Sequence, residues 1–402
     1  MAALTWCSPS SPSAFLPAYN AKPRPYGRVI CPYADETRKK TTMPQALNIV
    51  IACGGTGGHL FPGIAVAQQL KAMGHKPVLL ISRKDVDAEA SKKYGDLEFH
   101  TVQAIAKPPL FSLRTPGFLW KLLRTYLSCK GIIRKMKADV VLGMGGFTSM
   151  PPVRAGKMLG LRTYVHDSNA MPGKSNRMTA RWCTAVLLGL KEAAAHFPGS
   201  NCIVTGTPVR EELRHLPTAE AAKAQLGLPQ DKPVILVTGG SQGARNLNSM
   251  LIAAAKADPT VYYYVIAGKQ DFERVNALAA GADNIKVIGF CSDMPAAYAA
   301  ADGVIARAGA STLTELSYIG KACLLVPFPF AADDHQTHNA KVFTEQGAAV
   351  MCRQSELTDE VVHNFVHKVI LNTEARQAME TAMRHQARPD AALCIARTIT
   401  QG

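Results

Sequence analysis

Three glycine-rich segments hold the residues of this 402-residue chain best suited to chemistry: Cys53-Gly54-Gly55-Thr56-Gly57-Gly58-His59, Gly143-Met144-Gly145-Gly146-Phe147-Thr148-Ser149 and Gly239-Gly240-Ser241-Gln242-Gly243-Ala244. With no side chains in the way, backbone N–H groups turn toward an oxyanion, and a helix opening at the loop adds positive potential. One such loop is equally well explained as a tight β–α turn. Three of them at the ends of strand-like runs point to phosphate or pyrophosphate. A further segment, Arg307-Ala308-Gly309-Ala310-Ser311-Thr312-Leu313-Thr314-Glu315, follows a strand signal and opens a helical one. Its amides suit another phosphate, and Glu315, about one turn in, suits the vicinal hydroxyls of a ribose. Downstream, Asp333-Asp334-His335-Gln336-Thr337-His338-Asn339 is a dense polar loop able to read sugar hydroxyls.

Other phosphate chemistries fit poorly. A dinucleotide fingerprint needs G-x-G-x-x-G, but from Gly55 the sixth position is Leu60 and from Gly143 it is Thr148. A Walker A loop needs G-x-x-x-x-G-K-[ST]; Gly173-Lys174-Ser175 supplies its end, but Ser168 stands where the first glycine belongs. The triplet Asp85-Val86-Asp87 has the spacing of a metal-binding D-x-D, yet it lies in a mixed-charge stretch and reads as a solvated loop. No metal and no cofactor is expected.

These loops must be positioned by the elements around them. Leu47 to Ala52 is a short buried-type strand, followed by a glycine loop and a helix from Pro62 to Met73 that stops near Gly74. The same unit recurs as Pro233 to Thr238, a glycine loop and a helical run through Leu247, Leu251 and Ile252. Further strands are expected at Val78 to Ser82, Val140 to Gly143, Thr163 to His166, Tyr262 to Ala267, Ile285 to Gly289, Gly303 to Ala306 and Ala322 to Pro327. Alternating β and α implies parallel sheets. The fold class is therefore α/β: two doubly wound, Rossmann-like domains facing a cleft. The expected boundaries are residues 44–207 and 208–375, with 376–402 a helical segment packing back on the first domain. Residues 1–43, with six prolines and Ser-rich stretches, read as a disordered extension dispensable for catalysis, and Met43 stands before the first strand as a candidate start.

Composition narrows the function classes. Ten cysteines with no pair closer than Cys183 and Cys202 leave no CxxC or zinc spacing and suit reduced thiols. The net charge of +15 is unevenly spread: residues 44–208 carry 21 Lys/Arg against 8 Asp/Glu, whereas 209–402 carry 18 against 20. The basic half suits a polyanionic substrate, an anionic membrane or nucleic acid. No nucleic-acid-binding motif is present, and that reading leaves the glycine loops unexplained. Residues 110–137 hold seven Lys/Arg and no acid, interleaved with apolar residues, as in an interfacial segment. Phe111, Phe118, Trp120, Lys121 and Arg124 are the expected docking residues, with some of Leu122, Leu123 and Ile133 turned to the core.

Taken together, Gly54-Gly55-Thr56-Gly57-Gly58-His59-Leu60-Phe61-Pro62, Gly239-Gly240-Ser241-Gln242-Gly243-Ala244-Arg245, Arg307-Ala308-Gly309-Ala310-Ser311-Thr312 and Asp334-His335-Gln336 resemble the MurG family of glycosyltransferases over about residues 46–400. The resemblance implies a GT-B fold and inverting transfer of GlcNAc from UDP-GlcNAc to lipid I, giving lipid II, at the cytoplasmic face of the bacterial inner membrane. It implies that Thr56, Gly57, Gly58, Asn169, Arg210, Ser241, Cys291, Ala310, Ser311, Thr312, Leu313, Thr314, Glu315 and Gln336 contact the donor. Ser241 would face the diphosphate, Glu315 the ribose, Gln336 the GlcNAc hydroxyls, and Cys291 the uracil through its backbone. For the base, His59 is the first candidate and Asp167 the second. The chain departs from the family's usual pattern at Asp167-Ser168, at Thr207 and at Ala306. The alternatives are a UDP-sugar 2-epimerase and a diacylglycerol glucosyltransferase.

Overall fold

The computed structural model describes residues 45–82, 91–102, 115–239 and 244–401. The N-terminal extension, the Asp85-Val86-Asp87 triplet, Phe111 and Ser241 lie outside the described residues, as does the side chain of Phe118. The chain divides into two compact units, one formed by Gly27–Glu211 with Arg388–Gly402, the other containing Glu212–Ala387.

The first unit is built on a parallel sheet of β1 (Asn48–Ala52), β2 (Lys76–Ile81), β3 (Glu98–Thr101), β4 (Val140–Gly143), β5 (Arg162–Asp167), β6 (Ala185–Leu188) and β7 (Cys202–Val204), in the order β3-β2-β1-β4-β5-β6-β7. In the second, β8 (Val234–Thr238), β9 (Tyr262–Ile266), β10 (Ile285–Ile288), β11 (Gly303–Ala306), β12 (Cys323–Leu325) and β13 (Val350–Met351) run β10-β9-β8-β11-β12-β13, again all parallel. The central strands are apolar runs because helices cover both faces, so no residue gains by facing water. In both sheets the order reverses once, between β1 and β4 and between β8 and β11. In open α/β sheets ligands bind outside the carboxyl ends of the strands at such a point.

The helix after β1 begins at Gly57 and runs to Ala72, with Pro62 inside it. It starts five residues before the expected Pro62, with Gly57, Gly58 and His59 already helical. The helix is apolar nearly all round because it has two partners. Leu60, Ile64, Ala67 and Leu70 belong to the same core cluster as Ile49, Ile51, Leu142 and Leu187 of the sheet, and as Ile395, Ala396 and Ile399 of helix Ala391–Gln401. The preceding helix, Thr373–His385, belongs to the second unit, and the chain returns to the first at Arg388.

Gly54 fixes how tightly loop one can fold. A Cβ there would lie 2.3 Å from the Ser82 amide nitrogen and 2.7 Å from the Ile81 carbonyl carbon, both backbone atoms that cannot swing away. Gly54→Ala is therefore expected to cost about 1–3 kcal/mol, lowering the unfolding midpoint by about 2–4 °C per kcal/mol. Gly131→Ala, in helix Thr115–Lys135 with nothing within 4 Å of the added carbon, should leave it unchanged or higher. Thermal unfolding of both variants checks this.

Candidate functional site

In the first unit, loop one follows β1 and loop two follows β4, so both stand at the reversal point. Thr56 caps helix Gly57–Ala72 with extended backbone (φ −149°, ψ 152°), while the amides of His59 and Leu60 donate back to its carbonyl at 3.1 and 3.0 Å. The amides of Gly57 and Gly58 belong to the first turn, which has no preceding helical carbonyl to donate to. Thr148 Oγ1 donates to the Gly54 carbonyl at 2.6 Å and ties loop two to loop one.

His59 lies between the two loops. Its Nδ1 is 3.2 Å from Thr56 Oγ1, and its ring lies along Gly145 and Gly146. A Cβ on Gly145 would sit 3.1 Å from His59 Nε2, and one on Gly146 3.1 Å from His59 Cε1. Both glycines also have left-handed backbone (φ 112° and 74°), which glycine adopts without penalty. Loop two thus has no side chains where the imidazole packs.

A polar network fixes loop two from behind. Asn176 Oδ1 accepts from the Gly146 amide at 3.2 Å, while its Nδ2 donates to the His166 carbonyl at 3.1 Å and to Asp167 Oδ2 at 2.8 Å. Asp167, buried at the end of β5, also accepts from the Gly173 amide at 3.2 Å through Oδ2, and from the Asn169 amide and side chain at 2.9 and 3.2 Å through Oδ1. Burial pushes its carboxyl above the ordinary value, against the pull of these hydrogen bonds. All four contacts are donors, so the ionised form is the one the network is built for. Asn176 was missed in the sequence because it carries no spacing signal; only the fold brings it to Gly146. Arg210 stacks over Phe61, its guanidinium carbon 4.3 Å from the ring centre.

In the second unit, helix Ala310–Ile319 follows β11 at the second reversal point, while loop three comes after β8 in the sequence with residues 240–243 outside the described residues. Ala310 to Glu315 form the first turns of that helix. Glu315 is 9% exposed and its Oε2 accepts from the Tyr298 hydroxyl at 2.9 Å, a partner invisible to sequence reading. Arg307 binds the loops after β11 and β12 together, donating to the carbonyls of Val326 and Pro327 at 3.0 and 3.1 Å and to Gln354 at 2.6 Å. Burial pushes its guanidinium down to about 10. Gln336 is the second residue of helix His335–Thr344 and accepts through Oε1 from the Phe328 amide at 2.9 Å. The two residues before this helix, Asp333 and Asp334, have positive φ (52° and 49°), a strained backbone for side-chain-bearing residues of the kind concentrated at functional sites. Cys291 is half-buried beside the Tyr264 hydroxyl on β9; burial, then Cys291 itself, pushes that phenol up.

Helix Thr115–Lys135 turns Cys129 and Ile133 to the core and Trp120, Lys121, Leu123, Arg124 and Leu127 to solvent, with Trp120 66% exposed. Leu123, one of the expected core candidates, is therefore on the outer face. Beside that face, Leu122, Leu123, Tyr126, Met150, Met158 and Trp182 help to line a groove of about 370 Å³. Among the described residues no helix is long and apolar enough to cross a membrane.

Residues 49–188 match the Glycosyltransferase family 28 N-terminal domain and residues 234–393 the Glycosyltransferase family 28 C-terminal domain. The UDP-N-acetylglucosamine--N-acetylmuramyl-(pentapeptide) pyrophosphoryl-undecaprenol N-acetylglucosamine transferase of Solibacter usitatus (strain Ellin6076) is 37% identical over 364 residues, 89% of this chain and 96% of that protein. Acinetobacter baumannii MurG, known from a crystal structure, matches 89% of this chain and 100% of its own with a TM-score of 0.69 at 30% identity. The Neisseria meningitidis UDP-GlcNAc 2-epimerase bound to UDP-GlcNAc, over 89% of this chain and 100% of its own, reaches a TM-score of 0.66 at only 14% identity, so that likeness is one of fold alone.

His166 gives the first unit a pH dependence. It is fully buried, its Nε2 is 2.9 Å from the Gly206 carbonyl, and burial pushes it from the ordinary 6.5 to about 4, with the nearby charge of His59 lowering it further and the Gly206 bond opposing. The folded chain keeps it neutral while the unfolded chain protonates it. Its contribution is thus present above pH 6.5 and lost between 6.5 and 4, in total about 3 kcal/mol. Asp167, shifted upward, acts with the opposite sign. His166→Gln, which keeps a donor for Gly206, should flatten the fall in unfolding midpoint between pH 6.5 and 5; an unchanged slope would assign that fall to other groups.

Proposed function

The chain belongs to the MurG family of GT-B glycosyltransferases, and from that premise we propose that it transfers GlcNAc from UDP-GlcNAc to the lipid-linked MurNAc-pentapeptide, lipid I, with inversion, giving lipid II for peptidoglycan. The observation that carries the reading is the placing of loops one and two, and of the glycine-bearing opening of helix Ala310–Ile319, at the reversal points of two parallel sheets, in a chain 37% identical to such an enzyme. A UDP-sugar epimerase or a diacylglycerol glucosyltransferase would share the fold, but the family membership favours this transfer.

In the proposed reaction the acceptor 4-hydroxyl oxygen bonds to the anomeric carbon as the bond from that carbon to the UDP oxygen breaks. The electron pair leaves with UDP and the hydroxyl proton passes to His59, whose ring is held by Thr56 and lies along Gly145 and Gly146 of loop two. Asp167 fits a positioning role better than that of base, since both its oxygens are committed to the network. Charge growing on the diphosphate would be met by the preorganised amides of the helix opening at Ala310, with Ser241 and its loop proposed as further donors. Thr56, Gly57, Gly58, Asn169, Arg210, Cys291 and the Ala310 to Thr314 turn remain proposed donor contacts. For Gln336, accepting from Phe328 through Oε1 leaves its Nε2 end to donate to GlcNAc hydroxyls.

Membrane docking at the cytoplasmic face is proposed for the face bearing Trp120, Leu123 and Leu127, flanked by Lys121 and Arg124. Each cation near anionic lipid is worth about 1 kcal/mol, and the apolar stripe adds burial. Trp120→Ser with Leu127→Ser should release the protein from anionic vesicles; unchanged co-sedimentation would sink the assignment.

Transfer itself is tested with radiolabelled UDP-GlcNAc and a lipid I analogue, and product that forms equally well on diacylglycerol would favour the alternative. The nucleotide site is tested by calorimetric titration. Charge-assisted hydrogen bonds to ribose hydroxyls are worth about 1.5–3 kcal/mol each, so Glu315→Ala should weaken UDP and UDP-GlcNAc alike by roughly ten- to several-hundred-fold. Gln336→Ala should weaken UDP-GlcNAc and spare UDP. Tyr298→Phe removes the hydroxyl bound to Glu315 and serves as control: if it weakens UDP as much as Glu315→Ala does, Glu315 acts through the fold and not on the ribose.

A further inference from the structure

The second unit carries a side-chain cluster that the transfer reaction does not use. Asp258 follows helix Arg245–Ala257 and precedes β9, at the end of the sheet opposite the carboxyl-terminal loops. Its carboxylate is 5% exposed, and its two oxygens are divided between two tasks. Oδ1 accepts from the Thr260 amide at 3.2 Å and from the Thr260 hydroxyl. Oδ2 faces two imidazoles, with His367 Nε2 at 2.9 Å and His363 Nδ1 at 3.4 Å. The rings stack with centres 4.0 Å apart, His363 on helix Asp359–Phe365 and His367 in the π-helical turn Val366–Ile370 that continues it. π turns inside helices are frequent at functional sites.

We propose that Asp258, His363 and His367 form a binding site for a divalent transition metal, best suited to Zn²⁺. One ligand atom from each residue lies within 4.8 Å of the others. Metal–ligand bonds of about 2.0–2.2 Å in tetrahedral array place ligand atoms roughly 3.3–3.6 Å apart, so the 2.9 and 3.4 Å separations from Asp258 Oδ2 to the two ring nitrogens need only small side-chain adjustments. Two imidazoles four residues apart on a helix with one carboxylate are ligands that zinc, nickel and copper favour over magnesium or calcium. Thr260 supplies the outer support typical of such sites, fixing the remote carboxylate oxygen so that Oδ2 is aimed at the rings. His363 is 55% exposed, which gives the ion an entry path and water for a fourth position. Bound metal would clamp the helix pair spanning 359–370 to the turn before β9.

The test uses the full chain without an affinity tag, stripped of metal and titrated with Co²⁺ followed by visible absorption, then with Zn²⁺ by calorimetry and thermal unfolding. The expected result is one equivalent bound, with d–d bands of a low-coordinate site, and a raised unfolding midpoint. His363→Gln, a surface change, should weaken binding at least about tenfold, and Thr260→Val by about 10–100-fold. UDP binding should be the same in parent and variants. Absence of saturable binding near stoichiometric metal, or binding by His363→Gln with His367→Gln at parental affinity, would overturn the proposal and leave the cluster as a histidine–aspartate ion pair.

Discussion

Close approach of chain segments at the carboxyl ends of the strands is the constraint on which the first unit depends. Loop one reaches its position only because Gly54 offers no Cβ to the Ser82 amide, and loop two lies along the His59 ring only because Gly145 and Gly146 offer none to the imidazole. The parallel sheets set where these loops emerge, and the single reversal of strand order sets which of them become neighbours. A side chain at any of these positions would push apart segments whose hydrogen bonds, such as Thr148 to Gly54, join the loops into one surface.

Glycine makes such proximity possible but does not make it rigid. Rigidity in the first unit comes from Asp167 and Asn176, which convert a buried charge into a brace running from the end of β5 to the Gly146 amide. A buried carboxylate is costly unless its lone pairs are filled, and here four donors fill them. In the second unit Arg307 plays a comparable part, its buried guanidinium spent on the carbonyls of Val326 and Pro327 so that the loops after β11 and β12 share one support. Both braces lie behind the residues proposed to meet substrate.

The sequence makes legible what local pattern determines. The strands from Asn48, Val140, Val234, Tyr262 and Gly303 are apolar runs bounded by glycine or proline, and they stand where such runs predict. Less legible are β3, whose Glu98-Phe99-His100-Thr101 is a half-polar edge, the three-residue β7 and the two-residue β13, all too short or mixed for a periodic signal, and β6, a run of four whose strand character comes from pairing with Tyr164 to Asp167. Pro62 misplaces a helix start because proline usually opens helices, whereas here glycines before it take the first turns. Of the candidate site, the loops, His59 and the Ala310 helix could be read from residue order. Asn176, Tyr298 and the Asp258 cluster could not, since each depends on residues between nine and 109 positions apart being brought together by the sheets.

His59, braced by these loops, is the residue proposed to take the acceptor proton, with the nucleotide proposed to be held by the second unit. The most direct measurement is the turnover of His59→Ala at saturating lipid I analogue and UDP-GlcNAc, with nucleotide affinity measured on the same sample. A fall of about 10²–10⁴-fold in turnover is expected, with UDP affinity close to that of the parent. Parental turnover, or a loss of turnover matched by an equal loss of UDP affinity, would contradict it.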